Sequence, residues 1–392
     1  MTMATKNNIF KRYLGEYLKA NKLRQGEILD HVCDVTQMHR KAAVRKFAHL
    51  QMRYDSWSDT RGRPSTYGPD VTSALRTVWE AGNEVCGELL HPVVSEYIDI
   101  LIRDNMWTHL PNATKKLRLM SEGTMKRRVS LFMKARKRRK GISSTKPSHL
   151  KRIVPTFTGP WEDKPPGYGQ IDTVMHSDTA RGDAVYTVNY IDSATYLVIP
   201  HAQFNKGKRA TQESMKAIQD MMPFPWLGAH PDTGSEFLNW FVKDWCDKEK
   251  IELTRSRPGQ KNDNMYVEER NGHVIRKTVG YITLNCPEAV DALNSLYDVL
   301  IPYLLHFVAV RRMTRKLKVG STYVRKYEKI AKTPYQRILA HPKVKRVVKE
   351  TLRQQHAALN PLILKREIER RLTIVYATQQ RYGKPRQYST FR

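Results

Sequence analysis

One stretch of the chain, residues 167–279, shows strand-like and helix-like patterns in an order that few folds share. Three strand-like segments come first, GYGQIDTVMH, AVYTVNYID and ATYLVIPHA, and the second alternates Tyr186, Val188 and Tyr190 with more polar residues. The helix and strand patterns that follow cover about 207–221, 227–231, 235–249, 251–256 and 264–279. A three-stranded meander followed by alternating helices and strands predicts a mixed five-stranded sheet with flanking helices.

Three carboxylates fall at particular points of this pattern. Asp172 lies inside the first strand between Ile171 and Val174, Asp232 follows the fourth strand, and Glu268 lies on the last helix, with 35 residues between Asp232 and Glu268. A carboxylate in a buried strand is costly unless a cation neutralises it, and Mg²⁺ prefers such hard oxygen ligands. Phosphoryl transfer on DNA uses two metal ions about 4 Å apart. We therefore expect these three acids to be catalytic and to bind two Mg²⁺ ions, with Mn²⁺ as a substitute. Taken singly, each acid has another explanation: Asp172 is an acid at a strand end, Asp232 a turn residue and Glu268 a surface acid of a helix.

The charge of the chain indicates its partner. Its 68 Lys and Arg residues exceed its 38 Asp and Glu residues by 30, and the excess is spread over most of the 392 residues. Such a balance favours a polyanion, above all DNA. No apolar run reaches the roughly 18 residues that span a bilayer, and the first residues lack an export signal. We expect no membrane association and a cytoplasmic, nucleoid-associated protein in a bacterium. The cysteines are widely spaced and predict reduced thiols, not a zinc module or a disulfide framework: Cys33, Cys86, Cys246 and Cys286.

Residues 1–60 show the pattern of three short helices, which predicts a helix-turn-helix DNA-binding domain. Thr36 is the expected N-cap of the third helix. The exposed donors near that helix suit base edges and phosphates in a major groove, namely Gln37, His39, Arg40, Lys41 and Arg45. A basic surface on an ordinary helical bundle is the alternative. The linker at 61–68 contains Arg61-Gly62-Arg63-Pro64, which resembles an AT-hook that places Arg61 and Arg63 in a minor groove. A plain flexible linker fits it equally well.

Residues 69–133 repeat the helical pattern and predict a second helical DNA-binding domain. Its last helix, from Ser121, presents Lys126, Arg127 and Arg128 beside an apolar stripe. The basic linker at 134–154 contains no acidic residue from Lys134 to Arg152 and predicts a DNA clamp. Its densest run of expected DNA contacts is Arg136, Lys137, Arg138, Arg139 and Lys140. Residues 290–392 predict a helical, basic C-terminal region, with helix starts at Thr333-Pro334 and Asn360-Pro361.

Several segments resemble a known family. IDTV at 171–174, HPDTGSEF at 230–237 and RPGQKNDNMYVEERNGHVIRK at 257–277 are similar to the D-D-35-E core of integrase-type bacterial insertion-sequence transposases and retroviral integrases. The similarity extends to GEILDHVCDVTQMHRKAAVR, RGRP and VGSTYVRKYEKIAKTPYQRIL, and so covers nearly the whole chain. It implies a multidomain protein with an α/β ribonuclease-H-like integrase catalytic core at 155–285.

The same resemblance implies roles for residues of the last helix of the core. The family pattern of Val-Glu, two residues and Asn maps onto Val267, Glu268 and Asn271, and the neighbouring Glu269 is expected on the surface. The chain departs from the family at Thr233, Gly272 and Ile275, where members usually carry Asn or a basic residue. Those departures concern DNA contacts, which are expected from Arg270, Asn271 and Arg276.

The resemblance further implies a DNA transposase that cleaves strands at the ends of an element and joins them to target DNA. The expected partners are double-stranded DNA, as terminal repeats and as target, and further copies of the chain in a synaptic homo-oligomer. A catalytically silent DNA-binding protein derived from a transposase is the alternative. A tyrosine recombinase would need a clustered Arg-His-Arg-Tyr set that the sequence does not place.

Overall fold

The computed structural model describes residues 1–51, 66–133, 153–159, 161, 164–177, 183–257, 264–319 and 322–384. Side chains are described for these residues except at positions 4, 265, 314–319, 322, 323 and 325. The chain divides into two compact units, Met1–Thr66 and Tyr67–Arg392. The sequence expectations for Arg61, Arg63 and the run Arg136 to Lys140 lie outside the described residues.

The first unit contains three helices, α1 (Met3–Lys19), α2 (Lys22–Thr36) and α3 (Arg40–Gln51). Their apolar faces meet around Phe10, Val32 and Phe47, and Tyr17 stacks on Phe47 with ring centroids 4.2 Å apart. This burial of one apolar stripe per helix is what the sequence pattern predicts.

The turn between α2 and α3 differs from the expectation. Thr36 is buried at the end of α2, where its hydroxyl donates to the Val32 carbonyl at 2.6 Å, so the predicted N-cap is wrong. Gln37 ends α2 with a left-handed φ of 52°, and α3 begins only at Arg40. The hydroxyl is captured by its own helix because a threonine side chain reaches the carbonyl four residues back. The three-residue turn that results is typical of a helix-turn-helix.

The second unit is built on a mixed five-stranded sheet in the order β3-β2-β1-β4-β5. The strands are β1 (Tyr168–His176), β2 (Val185–Asp192), β3 (Val198–Phe204), β4 (Gly228–Pro231) and β5 (Glu252–Leu253). β1, β2 and β3 are antiparallel neighbours, whereas β4 and β5 run parallel to β1. A meander joined to parallel strands by crossover helices, with helices on both faces, fits the expected ribonuclease-H-like core.

Helices cover both faces of this sheet, so its strands are buried on both sides. On one face Ile171 packs in a core with α9 (Lys208–Met221) and α10 (Trp240–Lys248). On the other face Val174 packs in a core with α13 (Glu288–Phe307) and with the helix that begins at Met265. Because successive residues of a strand point to opposite faces, β1 contributes to both cores.

The helix between β4 and β5 is shorter than the sequence predicts. It begins at Trp240, not near residue 235, with Asn239 as its N-cap. Residues 232–239 instead form a loop that buries Phe237 and Leu238 in the core of the α9 face. The apolar residues that suggest a helix there are buried because this loop packs against the core.

The helices that precede the sheet in sequence share a core with α13. They are α4 (Pro69–Ala81), α5 (Gly87–Leu90), α6 (Val94–Arg103), α7 (Pro111–Arg118) and α8 (Glu122–Met133). Tyr97 of α6 donates its hydroxyl proton to the Phe307 carbonyl, and Tyr303 of α13 donates to the Ala81 carbonyl at 2.7 Å. Residues 69–133 are therefore packed into the same compact unit as the sheet.

The C-terminal region is not entirely helical, which corrects the expectation for residues 290–392. Its helices, besides α13, are α14 (Pro334–Ala340), α15 (Arg346–Ala358) and α16 (Pro361–Tyr382), and the first and last begin at the predicted Thr333 and Asn360 caps. Between α13 and α14 lies a two-stranded antiparallel hairpin, β6 (Met313–Val319) and β7 (Thr322–Tyr327). The Thr, Val and Tyr residues of these strands favour β-structure over helix. No helix among the described residues is long and apolar enough to cross a bilayer.

We expect Tyr303→Phe to lower the free energy of unfolding of the second unit by about 1–2 kcal/mol, because the Ala81 carbonyl then loses a buried donor. Urea unfolding followed by tryptophan fluorescence measures this change. Tyr376→Phe is the matched control, since its hydroxyl also donates to a carbonyl, that of Val279 at 3.0 Å, but the residue is 41% exposed. Equal losses of unfolding free energy for the two variants would contradict the role of the Tyr303–Ala81 hydrogen bond as a buried contact between α13 and α4.

Candidate active site

Asp172 and Asp232 lie side by side at the centre of the sheet. In the parallel pair β1–β4, Ile171 is opposite Pro231, so the next residue of each chain segment is one of the two aspartates. Neighbouring strands are about 4.8 Å apart. Two acids that are 60 positions apart in sequence are therefore brought together by strand register.

Asp172 is held by two hydrogen bonds. Its Oδ1 accepts from the Thr173 amide at 2.8 Å, and its Oδ2 accepts from Asn271 Nδ2 at 2.7 Å. Burial, and then the charge of Asp232, raise the pKa of Asp172 to about 7. The carboxylate is thus oriented precisely but is poorly compensated for its loss of hydration.

Asn271 belongs to a helix that is fastened along β1 by side chains. This helix consists of α11 (Met265–Arg270), a π-helical segment (Asn271–Arg276) and α12 (Lys277–Val279). At its start, Gln170 Oε1 accepts from the amides of Tyr266 and Val267 at 3.0 and 3.1 Å. In its middle, Asn189 of β2 donates from Nδ2 to Asn271 Oδ1 at 2.8 Å. The helix therefore lies in a fixed register against the strand that carries Asp172.

Glu268 lies on this helix one turn before Asn271. Residues three apart on a helix share a face, and Asn271 contacts Asp172, so Glu268 is on the side of the helix that faces the aspartates. It is exposed to solvent. Among the described residues, no three Asp, Glu, His or Cys side chains are placed together so as to hold a metal ion. The structure thus brings Asp172 and Asp232 together, whereas Glu268 is exposed at the rim of the site, that is, at its solvent-facing edge. Glu269 is on the surface, as expected.

The π-helical segment follows Glu268 directly. A π-helix widens the helical turn by about one residue, and such segments inside α-helices frequently occur at functional sites. Here Val274 and Ile275 are buried and Gly272 is exposed. The wider turn begins at Asn271, which is the residue that bonds to Asp172.

Glu236 is a residue of the site that the sequence expectations missed. It lies in the loop after β4, is 3% exposed, and its Oε1 is 2.5 Å from Lys206 Nζ. Thr173 Oγ1 donates to the same Oε1 at 3.3 Å. Its position four residues after Asp232 and directly before the apolar Phe237 is the only sequence signal that could have indicated a buried acid.

The donor set fits a divalent cation in part. Asp172 and Asp232 supply hard oxygen ligands. Burial and the charge of Asp232 disfavour the ionised state of Asp172, and a cation would reverse both effects. Asn271 fixes one oxygen of Asp172 and leaves Oδ1 with a single backbone donor. Glu268 would complete the set by turning inward from the rim.

The residues expected to contact DNA divide into exposed and internal groups. Gln37, His39, Arg40, Lys41 and Arg45 are exposed at the α2–α3 turn and on the first turns of α3, although Arg40 is paired with Asp30. On α8, Lys126 and Arg127 are exposed, with Lys126 paired to Glu88. The exposed side chains therefore lie either on α3 and α8 or in the turn that precedes α3.

Four other expected DNA contacts have partners inside the protein. Arg128 donates to Thr72 Oγ1 and to the Tyr67 carbonyl, both at 2.7 Å. Arg276 donates to the Met175 carbonyl at 2.6 Å, Arg270 is 8% exposed beside the Tyr196 ring, and Asn271 is engaged with Asp172. These contacts indicate that Arg128 connects α8 to the start of α4, whereas the other three side chains support the framework of the site.

An uncharacterised relative matches most of the chain. Protein y4rM of Sinorhizobium fredii (strain NBRC 101917 / NGR234) is 32% identical over 333 residues, which span 83% of this chain and 93% of the relative. The chain belongs to the y4rM family. No known family profile matches it.

Solved structures with some similarity to this y4rM-family protein are retroviral integrases. A chain of the simian T-cell lymphotropic virus intasome in complex with PP2A regulatory subunit B56 gamma has a TM-score of 0.32 and 13% identity, over 52% of this chain and 61% of that one. The HTLV-2 integrase catalytic core domain in complex with magnesium has a TM-score of 0.28 and 15% identity, over 44% and 95%. The BIV integrase catalytic core domain has a TM-score of 0.29 and 12% identity, over 48% and 98%. The strand order itself carries the fold assignment of the y4rM-family core.

We expect Asp172→Asn to stabilise the metal-free y4rM-family protein at neutral pH. Because the pKa of Asp172 is about 7 in the folded state and 3.8 as its ordinary value, the folded protein retains a proton between about pH 4 and 7 that the unfolded chain releases. Wild-type stability should fall as pH rises through this window, by on the order of 2–4 kcal/mol, and the asparagine variant should escape that loss.

Chemical denaturation in EDTA from pH 4 to 8 measures the difference, which should vanish near pH 4. Asp220→Asn, at an exposed position of α9, is the matched control and should follow the wild type. A pH dependence that is identical in all three proteins would contradict the assigned environment of Asp172.

Proposed function

We propose that this y4rM-family protein is a DNA transposase that cleaves DNA strands at the ends of an element and transfers them to target DNA. One observation carries the proposal: Asp172 and Asp232 are adjacent on parallel strands, beside a helix that bears Glu268 and is bonded to the same strand through Gln170 and Asn271. Carboxylates on adjacent elements of a ribonuclease-H-like sheet suit metal-assisted phosphoryl transfer.

In this proposal Asp172, Asp232 and Glu268 hold two Mg²⁺ ions, for which Mn²⁺ can substitute. When bound, the ions supply charge that activates the attacking oxygen and stabilises the leaving one. Asn271 keeps Asp172 in one rotamer by donating to Oδ2, and Asn189 keeps Asn271 in place. Gln170 anchors the first amides of α11 and so sets the distance of Glu268 from the sheet.

The chemistry consists of two displacements at phosphorus. In the first, a water oxygen bonds to the phosphorus at the element's end, the bond to the 3′-oxygen breaks, and that oxygen leaves as a 3′-hydroxyl. In the second, this hydroxyl attacks a phosphodiester of target DNA and displaces another 3′-oxygen. Neither step forms a covalent bond between the protein and DNA, so no Ser or Tyr nucleophile is needed.

The division of labour along the chain is also part of the proposal. Residues 1–60 and 69–133 read or grip the element ends, the segments at 61–68 and 134–154 bind phosphates, and the core at 155–285 performs the chemistry. Strand transfer at two element ends requires two active sites, so the working form is a homo-oligomer on double-stranded DNA.

The alternative is a DNA-binding protein that has lost the chemistry of a transposase. The exposed position of Glu268, and the lack of a three-acid group among the described side chains, favour this alternative. The two functions differ in a single property, strand cleavage.

We expect Asp172→Asn, Asp232→Asn and Glu268→Gln each to abolish Mg²⁺-dependent nicking while DNA binding is kept, because each change removes charge at the metal site and little volume. Glu269→Gln is the matched control, since this neighbouring acid is on the surface, and it should cleave at close to the wild-type rate. The substrate is a duplex that carries the inverted repeat found by sequencing beside the coding region. A wild-type protein that binds this duplex but never nicks it would establish the alternative.

We expect DNA affinity to fall steeply with salt, because many phosphates are neutralised. Lys41→Ala and Arg45→Ala should each reduce the slope of log K against log[salt] by about 1. Arg24→Ala is the control, because that guanidinium is paired with Glu16 at 2.7 Å and Glu27 at 2.8 Å. Fluorescence anisotropy of the full chain at several salt concentrations gives these slopes. If Arg24→Ala changed the slope as much as the other two, α3 would lose its assigned role.

A further inference from the structure

A buried ion pair stands beside the two aspartates and is not needed to explain either of them. Glu236 Oε1 is 2.5 Å from Lys206 Nζ, and the two side chains are 2% and 20% exposed. Lys206 lies between the end of β3 and the start of α9, whereas Glu236 lies in the loop after β4. A buried pair costs hydration on both sides and contributes little stability relative to apolar packing, so its position invites a functional reason.

The carboxylate of Glu236 is fixed on three sides. Thr173, the neighbour of Asp172 on β1, donates to Oε1 at 3.3 Å. Asn239 Nδ2 donates to the Glu236 backbone carbonyl at 2.7 Å. A Cβ added at Gly234 would come within 2.5 Å of Oε2, so any larger residue there would displace the carboxylate. The same Gly234 donates its amide proton to Asp232 Oδ1 at 2.7 Å. The loop thus positions Asp232 and Glu236 together.

The ion pair lies close to Asp172, because Thr173, the next residue on β1, and Lys206 both contact Glu236 Oε1. The charge of Glu236 raises the pKa of Asp172, after the larger effects of burial and Asp232, and Lys206 lowers it. Burial raises the pKa of Glu236, Lys206 opposes that rise, and Asp232 adds to it. Lys206 is therefore near enough to neutralise Asp172 in part, and Glu236 offsets that charge.

We propose that Glu236 is a positioning residue that holds the Lys206 ammonium to itself and so keeps Asp172 and Asp232 available to a divalent cation. Without the Glu236 charge, the ammonium would be attracted to the aspartates beside it and would compete with the metal for them. The proposal rests on the function proposed above, since it assumes a metal at this pair of acids.

A direct role as a metal ligand fits Glu236 less well. Its Oε1 already accepts from both Lys206 and Thr173. Glu236 thus acts on the metal site through Lys206.

The test compares Glu236→Gln, Lys206→Met and the double variant in the full chain without DNA. Mn²⁺ affinity is measured by isothermal titration calorimetry near pH 8, and Asp172→Asn identifies the heat that belongs to this site. We expect Glu236→Gln to weaken Mn²⁺ binding about tenfold or more, because one uncompensated positive charge then faces the site. The double variant, which has neither charge, should bind Mn²⁺ nearly as the wild type does, and Lys206→Met should bind no more weakly than the wild type.

Recovery of Mn²⁺ affinity when Lys206→Met is added to Glu236→Gln separates this role from a purely structural one. If Glu236 were only structural, the double variant would bind Mn²⁺ as weakly as Glu236→Gln or more weakly. Asp247→Asn removes the acid of the exposed Lys243–Asp247 pair, also 2.5 Å apart, and serves as the control with unchanged affinity. Melting temperatures in EDTA confirm that each variant folds. Unchanged affinity in Glu236→Gln, or no rescue in the double variant, overturns the inference alone. A wild-type protein that shows no Mn²⁺ heat dependent on Asp172 overturns the proposed function together with it.

Discussion

The hydrogen bonds between β1 and the helix at 265–279 organise the whole site. Gln170 binds the first amides of that helix, Asp172 binds Asn271 in its middle, and the Met175 carbonyl binds Arg276 near its end. A strand rises about 3.3 Å per residue and a helix about 1.5 Å, so contacts at three successive points can be made only in one register. The position of Glu268 relative to the aspartates therefore depends largely on Gln170, Asn271 and Arg276, which have no chemical role in the proposed reaction.

This arrangement is electrostatically unfavourable, because Asp172 is poorly solvated and lies next to a second aspartate. Burial and Asp232 raise the pKa of Asp172 to about 7, and Lys206, whose charge opposes that rise, is paired with Glu236. A site that is unfavourable when empty is favourable for a divalent cation, since the cation repays both the lost hydration and the repulsion. In the proposed function, the lower stability of the empty site accompanies its affinity for a cation, a trade-off that is common at functional sites.

The basic side chains show why composition alone does not locate a DNA-binding surface. Lys41 and Arg45 are exposed on α3, whereas Arg128, Arg270 and Arg276 have carbonyl, hydroxyl or aromatic partners within the second unit. A guanidinium has five donors and a planar face, so it fills gaps between helices and strands as readily as it contacts phosphate. The excess of 30 positive charges predicts a polyanionic partner but not which arginines meet it.

The sequence by itself determined the order of strands and helices in the core, the strand position of Asp172, and the place of Asp232 after β4, because these depend on local hydrophobic periodicity and on spacing. It also indicated the Thr333 and Asn360 caps, which are local. Only the tertiary structure decided that Lys206 pairs with Glu236, that Asn271 binds Asp172 and that Glu268 stays at the rim. Each of these depends on elements far apart in sequence that are placed by strand register and by packing on the two faces of the sheet, and no local pattern specifies which long-range neighbours will meet.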